Sequence, residues 1–345
     1  MKPQSPIPHP RSSLLLCMTL LALTSAPICA NAEEDRTVWM KEAQWGVMTH
    51  YLADWMARQY TIDMNVEKWN EMVDSFDVEG LAEQIHSTGA GYLILTVGQN
   101  SGYTLSPNTT YDRLVGVQPS KCSRRDLILD MAKALQKYNI KLIAYLPSGA
   151  PGRDRAAVEA LGYHPGPHRN REFQLKWEQV IREWSLRWGE HVAGWWFDGC
   201  YWPNAMYRHP DAPNFESFAA AARAGNPRSV IAFSRGVIDR VLSITPHEDY
   251  MGGEIDEIET SRLWRIEADG RVDGARVHKL SYLGQKWGAG EPRYEDLEAV
   301  VIPWTRRIID VGGCVTWDVP IRPDGLIPEL YLNQLKTIGK AVVER

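Results

Sequence analysis

The chain of 345 residues has few cysteines and no long apolar run. Five cysteines without regular spacing do not form a disulfide framework, although one bridge among Cys122, Cys200 and Cys314 is allowed. The apolar stretch at residues 14–23 is too short for a transmembrane helix, which needs about 20 residues. The two shortages argue against a disulfide-stapled scaffold and against a membrane-spanning helix in this stretch.

An excess of positive charge is also missing. Lys and Arg number 38 against 43 Asp and Glu, which gives a formal net charge of −5, and no basic run is present. This balance argues against a nucleic-acid partner. The sequence contains no H-E-x-x-H metal motif, no G-x-S-x-G elbow, no P-loop and no dinucleotide fingerprint. We therefore expect neither a bound metal nor a cofactor.

The N-terminal segment has the three-part layout of a secretory signal peptide. Lys2 and Arg11 give it a basic start, the apolar stretch follows, and Ala30 and Ala32 flank Asn31 as an A-x-A cleavage site. Residues 1–32 are thus predicted to be removed, leaving a secreted or periplasmic chain of residues 33–345 without a membrane attachment.

The mature chain alternates short apolar runs with longer amphipathic stretches. The stretches at 78–88, 125–138, 172–188, 215–224, 295–311 and 328–343 have helical periodicity. Eight buried strands with helical crossovers indicate one α/β domain, a (β/α)8-type TIM-like barrel spanning residues 33–345. The predicted strands are 44–50, 91–97, 141–146, 192–197, 230–234, 249–254, 279–283 and 313–317.

Barrel enzymes place their reacting groups at the C-terminal ends of the strands. The residues there suit the binding of sugar hydroxyls and acid/base chemistry, and the 14 tryptophans add flat apolar faces that sugars stack against. The partner expected from this set is a carbohydrate. The candidate binding residues are His50, Gln99, Asn100, Tyr145, Trp196, Trp202, Arg235 and Trp317.

Asp198 is the sharpest catalytic candidate. It closes an apolar strand and is followed by Gly199, which lets a sugar ring approach closely, and by the rings of Tyr201 and Trp202. A helix N-cap is the alternative for an Asp after a strand. The two rings favour a site wall.

Glycosidases need a second carboxyl group beside the scissile bond. Glu254 leads because it ends the predicted sixth strand after two glycines, and Glu257 and Glu259 are the alternatives. A cluster of acids can raise the pKa of one member, as a general acid requires. A solvated acidic loop remains the plain interpretation for each of the three.

Two basic candidates each have a structural alternative. Arg235 follows the fifth strand and can bind a hydroxyl or orient Asp198, or it can form a structural salt bridge. His50 ends the first strand and can donate to a ring hydroxyl, or it can be a satisfied core residue.

The chain resembles the α-L-fucosidase family of glycoside hydrolases, family 29, as a divergent member. The clearest match is residues 311–328, VGGCVTWDVPIRPDGLIP, which resemble the family's eighth strand and following loop. WGVMTH at 45–50 resembles a first strand ending in a sugar-binding histidine. WFDG at 196–199 resembles the fourth-strand motif with the nucleophilic aspartate, and LGQKWG at 283–288 resembles the "IG-SWGY" segment.

The resemblance implies a retaining mechanism, with Asp198 as nucleophile and Glu254 as acid/base. The sequence departs from the family after the second strand, where Gln99 and Asn100 stand in place of a histidine pair that holds fucose. A Trp-Glu pair that carries the acid/base in other members is absent near Val277 and His278. The chain also ends at a helix, with no β-sandwich expected after it.

Three functions stay open at this point. The first is a retaining exo-α-L-fucosidase that releases terminal fucose or a related sugar from oligosaccharides or polysaccharides. The second is a related barrel glycosidase specific for another sugar, because amide side chains read hydroxyls differently from histidines. The third is a barrel that binds glycans without cleaving them.

Overall fold

A curled parallel sheet forms the centre of the computed structural model, which describes residues 1, 35–260, 262–263 and 265–343. The described residues from Arg36 onward form one unit. The predicted signal peptide, apart from Met1, lies outside the described residues. The strands are, in chain order, β1 (Trp45–Thr49), β2 (Tyr92–Thr96), β3 (Lys141–Pro147), β4 (Val192–Asp198), β5 (Val230–Phe233), β6 (Arg271–Val272), β7 (Ala275–Arg276), β8 (His278–Tyr282), β9 (Gly284–Lys286), β10 (Ala289–Pro292) and β11 (Cys314–Val319).

Seven of these strands belong to the central sheet, in the order β5-β4-β3-β2-β1-β11-β8. Every neighbouring pair is parallel. Two short antiparallel ribbons, β6 with β7 and β9 with β10, follow the fifth strand. The C-termini of the seven strands of the central sheet therefore point to one end of the curled sheet.

Helices connect most of the strands. Those predicted from periodicity are present, and α4 has the predicted bounds because Asp77 caps its first turn and Gly89 ends it in a left-handed conformation. The helices are α1 (Val38–Ala43), α2 (Ala53–Tyr60), α3 (Val66–Asp74), α4 (Val78–Thr88), α5 (Thr109–Val115), α6 (Leu127–Gln136), α7 (Arg155–Leu161), α8 (Arg171–Trp188), α9 (Pro203–Met206), α10 (Phe215–Ala222), α11 (Ile302–Asp310) and α12 (Glu329–Val343), with a π-helical turn (Leu297–Val301) before α11.

Alternate residues of each strand face two different apolar layers. Trp195 and Trp317 belong to the larger layer, between sheet and helices. Tyr145 and Trp196 belong to the smaller one, inside the curl of the sheet. Because successive side chains of a strand point to opposite faces, this alternation decides which strand-end residues can reach a central site.

The prediction of a closed eight-stranded barrel is wrong in count and in closure. Residues 249–254, predicted as the sixth strand, form isolated backbone bridges in place of a regular ladder, Tyr250 to Arg276 and Glu254 to Leu280. Asp249 also donates a backbone hydrogen bond to Ile231 over 2.8 Å. The segment thus lies between β5 and β8 without regular pairing, and the sheet stays open there.

The glycine pair explains the irregularity. A Cβ on Gly252 would lie 2.6 Å from the Ser234 Cα, and one on Gly253 would lie 2.2 Å from the His278 carbonyl oxygen. Gly253 has a φ of 75°, which an extended strand does not accommodate. The backbone therefore approaches both neighbours closely and turns, which delivers Glu254 to the end of the sheet.

Candidate active site

A cavity of about 260 Å³ opens at the C-terminal end of the sheet, and we call it the inner cavity. This volume lies below the roughly 300–1,000 Å³ of pockets for drug-sized ligands, so it suits one small sugar unit. Two carboxylic acids and several aromatic rings form its walls. The polar and aromatic lining residues are His50, Trp55, Gln99, Tyr145, Trp196, Asp198, Tyr201, Glu254 and Trp287.

Asp198, the last residue of β4, is held in place by the neighbouring strand. The Tyr145 hydroxyl donates a hydrogen bond of 2.6 Å to Asp198 Oδ2, and the Tyr145 ring stacks on Trp196 with centroids 5.1 Å apart. Burial raises the pKa of Asp198, while the Tyr145 hydrogen bond and the charge of His50 lower it. The pKa of Asp198 is raised on balance, and the Tyr145 hydrogen bond orients the carboxylate and offsets part of the effect of burial.

The amide pair after β2 extends this hydrogen-bonded chain. Gln99 Nε2 donates to the Tyr145 hydroxyl over 2.5 Å, and Asn100 Nδ2 donates to Gln99 Oε1 over 3.3 Å. Gln99 lines the inner cavity, whereas Asn100 lines the space next to it. Gln99 and Asn100 thus extend the hydrogen bonds of Asp198 and Tyr145 from the inner cavity to the space beside it.

Glu254 also lines the inner cavity, and Ser234 Oγ donates a hydrogen bond to Glu254 Oε2. Burial raises the pKa of Glu254 to about 8, helped by the charges of Asp198 and Asp256. Glu254 is accordingly protonated at neutral pH. A carboxylic acid in that state can donate a proton to a leaving oxygen.

The strand interior fixes the backbone that carries Glu254. Trp196 Nε1 donates to the Gly252 carbonyl over 3.0 Å, and the His278 ring bonds the Met251 carbonyl through Nδ1 over 2.9 Å. Burial lowers the pKa of His278 to about 4, so this ring is neutral at neutral pH. Trp196, expected to bind substrate, thus also positions the segment before Glu254.

The two alternative acids lie outside the inner cavity. Glu257 accepts a hydrogen bond of 2.9 Å from Arg293, and 62% of its side chain is exposed. Glu259 is exposed on a 3-10 turn (Ile258–Thr260). Of the three glutamates considered from sequence, only Glu254 is brought to Asp198.

Asp318 is a site residue that the sequence reasoning missed. His50 Nδ1 lies 2.8 Å from Asp318 Oδ1, and the Gly288 amide donates to Asp318 Oδ2 over 2.5 Å. His50 also stacks on Trp55 at 4.7 Å. The side chain of Asp318 is fully buried. The alternation of side chains along a strand points to Asp318, because Asp318 pairs with Met48 on the inner face while its neighbour Trp317 faces outward.

Three residues expected to bind substrate lie elsewhere. Trp317 is in the core, where its Nε1 donates to Thr305 Oγ1 over 3.2 Å and its ring packs on Trp304. Trp202 is 48% exposed, and its neighbour Tyr201 lines the cavity instead. Arg235 is exposed and does not line the inner cavity. Because successive side chains of β11 point to opposite faces, Trp317 packs in the layer between sheet and helices.

A second cavity, the outer cavity, adjoins the inner one and has a volume of about 690 Å³. Trp55, Gln99 and Trp287 line both. Its other walls come from α2, from the loop after β3 and from the β9–β10 ribbon. The remaining lining residues are Arg58, Gln59, Asn100, Arg153, Gln285, Lys286, Ala289 and Gly290.

Other features anticipated from sequence can be placed as well. Cys122, Cys200 and Cys314 are buried and free, so the allowed bridge is not formed among them. Within the described part of the chain, no cluster of three or more His, Cys, Asp or Glu side chains is arranged to hold a metal ion. The helices described here are all too short or too polar to cross a membrane.

Comparison with known proteins gives a family match over nearly the whole chain. The model of the family described as "Alpha-L-fucosidase" matches residues 23–343. No curated protein sequence matches the chain. The family match is consistent with the resemblance drawn from the strand-end motifs.

Solved structures share the fold at low sequence identity. An endo-fucoidan hydrolase from glycoside hydrolase family 107 aligns with a TM-score of 0.65 and 18% identity, over 89% of this chain and 53% of its own. An alpha-L-fucosidase from Lactobacillus casei, in complex with fucose, aligns with a TM-score of 0.58 and 17% identity, over 90% of this chain and 98% of its own. The alpha-fucosidase of Thermotoga maritima aligns with a TM-score of 0.55 and 16% identity, over 88% of this chain and 72% of its own. The chain spans about half the length of the first of these.

Proposed function

Because the chain belongs to the alpha-L-fucosidase family and is a glycosidase, we propose that it is a retaining, exo-acting α-L-fucosidase-like hydrolase. It releases terminal fucose or a related sugar from oligosaccharides or polysaccharides. The observation that carries this proposal is the meeting of Asp198 and Glu254 in one sugar-sized cavity. One acid is surrounded by groups that favour its ionised form, and the other has a pKa raised to about 8.

The first step uses the two acids in different protonation states. The Asp198 carboxylate attacks the anomeric carbon and forms the glycosyl ester, while the glycosidic bond breaks toward the leaving oxygen. Glu254 gives its proton to that oxygen, so the aglycone departs as a neutral alcohol. The hydrogen bond from Tyr145 keeps Asp198 Oδ2 in a fixed position during the attack.

The second step reverses the roles. Glu254, now ionised, takes a proton from a water molecule that attacks the anomeric carbon, and the ester bond to Asp198 breaks. Both acids return to their starting states. The charge of Asp198 helps to raise the pKa of Glu254, so formation of the ester lowers that pKa when a base is needed.

Sugar recognition falls to the remaining polar residues of the inner cavity. Gln99, oriented by Tyr145, can both donate to and accept from ring hydroxyls. His50, oriented by Asp318 through Nδ1, has Nε2 left for one hydrogen bond to a ring hydroxyl. Gln99 stands where the resembling family has a histidine. That substitution favours, as the second candidate, a related sugar with another hydroxyl pattern.

A panel of aryl glycosides that includes the α-L-fucoside tests the proposal. The chain should release the aryl group from the α-L-fucoside, and Asp198→Asn should lower kcat/KM by about 10³-fold or more. Asp63→Asn, a matched change at an exposed position outside both cavities, should leave turnover intact.

The outcomes separate the three functions that the sequence left open. Turnover of another sugar in place of fucose, still lost in Asp198→Asn, supports the second candidate. No turnover on the panel, together with fucose binding in calorimetry, supports a glycan-binding barrel. Turnover that persists in a folded Asp198→Asn variant removes Asp198 from the mechanism.

Export through residues 1–32 is part of the same proposal. The basic start, the apolar stretch and the A-x-A site occur in the order of a cleaved signal peptide. Expression of the full sequence in a bacterial host should give periplasmic or extracellular protein that begins at Glu33. N-terminal sequencing checks this, and an intact N-terminus on cytoplasmic protein contradicts it.

A further inference from the structure

The outer cavity differs in charge from the inner one. Arg58, Arg153 and Lys286 contribute three cationic groups to its lining, and none of its described lining residues is acidic. The formal charge of the whole chain is −5, so this concentration of positive charge is local. A cavity lined in this way favours a ligand that carries negative charge.

One half-buried acid, Asp54, arranges two of the three cations. Asp54 Oδ2 lies 2.9 Å from Arg153 and 3.6 Å from Arg58, while 18% of the Asp54 side chain is exposed. The two arginine side chains remain 58% and 59% exposed. Asp54 thus holds both guanidinium groups side by side at the cavity edge and neutralises one charge. Lys286 adds the third cation from the β9–β10 ribbon.

The remaining lining residues are of the kinds that bind sugars. Trp55 and Trp287 offer aromatic faces, and Gln59, Asn100 and Gln285 offer amides that pair with hydroxyls. Trp55, Gln99 and Trp287 belong to both cavities. A glycan whose terminal unit occupies the inner cavity therefore continues into the outer one through the bond that is cleaved.

We infer that the outer cavity is a subsite for an anionic sugar residue on the leaving-group side of the scissile bond. The anion is a sulfate ester or a carboxylate, since a guanidinium group can form paired hydrogen bonds to the oxygens of either the tetrahedral sulfate or the planar carboxylate. This inference rests on the proposed function, because it places the cleaved bond between the two cavities. It extends that function from the sugar released to the chemistry of the chain attached to it.

Binding to the Asp198→Asn variant tests the subsite without turnover. The probes are a sulfated fuco-oligosaccharide, its desulfated form and a fucosylated uronate oligosaccharide, measured by calorimetry at low salt. We expect the anionic probes to bind about 3- to 10-fold more tightly than the neutral one, with most of the difference lost in 0.5 M NaCl. A preference for only one of the two anionic probes identifies the anion.

Substitutions locate the effect. Arg58→Gln combined with Lys286→Gln should remove most of the preference for the anionic probe, while Arg182→Gln, an exposed change on α8, should retain it. Arg153 stays unchanged because it contacts Asp54 at the shorter distance. Equal affinity for charged and neutral oligosaccharides, or a preference that survives the double substitution, would falsify the inference.

Fucose alone and inorganic sulfate alone separate this inference from the proposed function. Fucose binding without any preference for anionic chains would support the proposed function and contradict the anionic subsite. Charge-dependent binding of oligosaccharides without fucose binding would support the anionic subsite and indicate that the inner cavity binds a sugar other than fucose. Sulfate that binds as tightly as the sulfated oligosaccharide would overturn a sugar subsite. If Asp198→Asn is unfolded in a melting curve, the ratio of kcat/KM for charged and neutral oligosaccharides in the wild type replaces the binding measurement.

Discussion

The inner and outer cavities share a wall and differ in their ionisable groups. The inner one places Asp198 and Glu254 in about 260 Å³, and the outer one gathers Arg58, Arg153 and Lys286 around about 690 Å³. The acids are half-buried, and burial raises the pKa of both. The cations are exposed at the cavity edge.

This difference indicates a division of tasks. Burial strengthens electrostatic effects and can hold an acid protonated at neutral pH, as bond cleavage requires. Exposed cations contribute weaker and salt-sensitive attraction, which suits the recognition of variable chains. Substitutions in the inner cavity should therefore change rate, and those in the outer one should change preference.

After Asp198→Asn, the largest expected effect is that of Glu254→Gln. We expect kcat/KM on natural linkages to fall by about 10²- to 10⁴-fold, with a smaller loss on aryl fucosides whose leaving groups need little protonation. The preference between charged and neutral oligosaccharides should not change. Steady-state kinetics on both substrate types checks this, with Glu257→Gln as the exposed matched control. Equal losses on both types would point to a structural role for Glu254.

Tyr145→Phe should have the next largest effect. It removes the donor to Asp198 Oδ2 and keeps the ring that stacks on Trp196. Loss of a hydrogen bond to a charged group predicts a decrease in kcat/KM of about 10- to 100-fold. The pKa of Asp198 rises without this donor, so the acidic limb of the pH profile should move to higher pH. An unchanged acidic limb would separate Tyr145 from the ionisation of Asp198.

Ser234→Ala tests the proton on Glu254. In the wild type, kcat/KM should fall as the pH rises through about 8, because Glu254 loses the proton that it donates. The Ser234 hydrogen bond lowers this pKa, so its removal should move the alkaline limb to higher pH. The rate at the optimum should change less than about tenfold. If the alkaline limb does not move in Ser234→Ala, a group other than Glu254 causes that limb.

Trp317→Phe should have the smallest effect on activity. Trp317 packs on Trp304 in the core and bonds Thr305, away from both cavities. The substitution should lower the free energy of unfolding by about 1–2 kcal/mol, and kcat/KM should stay within about twofold. Thermal unfolding and fucoside kinetics measure the two quantities. A large loss of activity at unchanged stability would return Trp317 to the site.

Seven of the eight predicted strands lie in the central sheet because buried parallel strands are continuous apolar runs between turn residues. The segment at 249–254 was predicted for its place in the alternation of elements, but two adjacent glycines prevent regular pairing there. The sequence analysis does not predict the short helices α1, α2, α3, α5, α7 and α9 or the two ribbons. Their apolar positions are too few to establish a period, and tertiary contacts stabilise them.

By itself, the sequence determined where the apolar strands end, and this was enough to place His50, Gln99, Tyr145 and Asp198 at one end of the sheet. Glu254 reaches the same end through the irregular glycine segment. Apolar runs and their boundaries are local, so they can be read along the chain. Only the tertiary structure decided which strand-end side chains face inward. It turned Trp317 into the core and Asp318 toward His50, left Glu257 in solvent, and brought Arg58, Arg153 and Lys286 together. These outcomes depend on register, curvature and contacts between distant segments, which no local pattern contains.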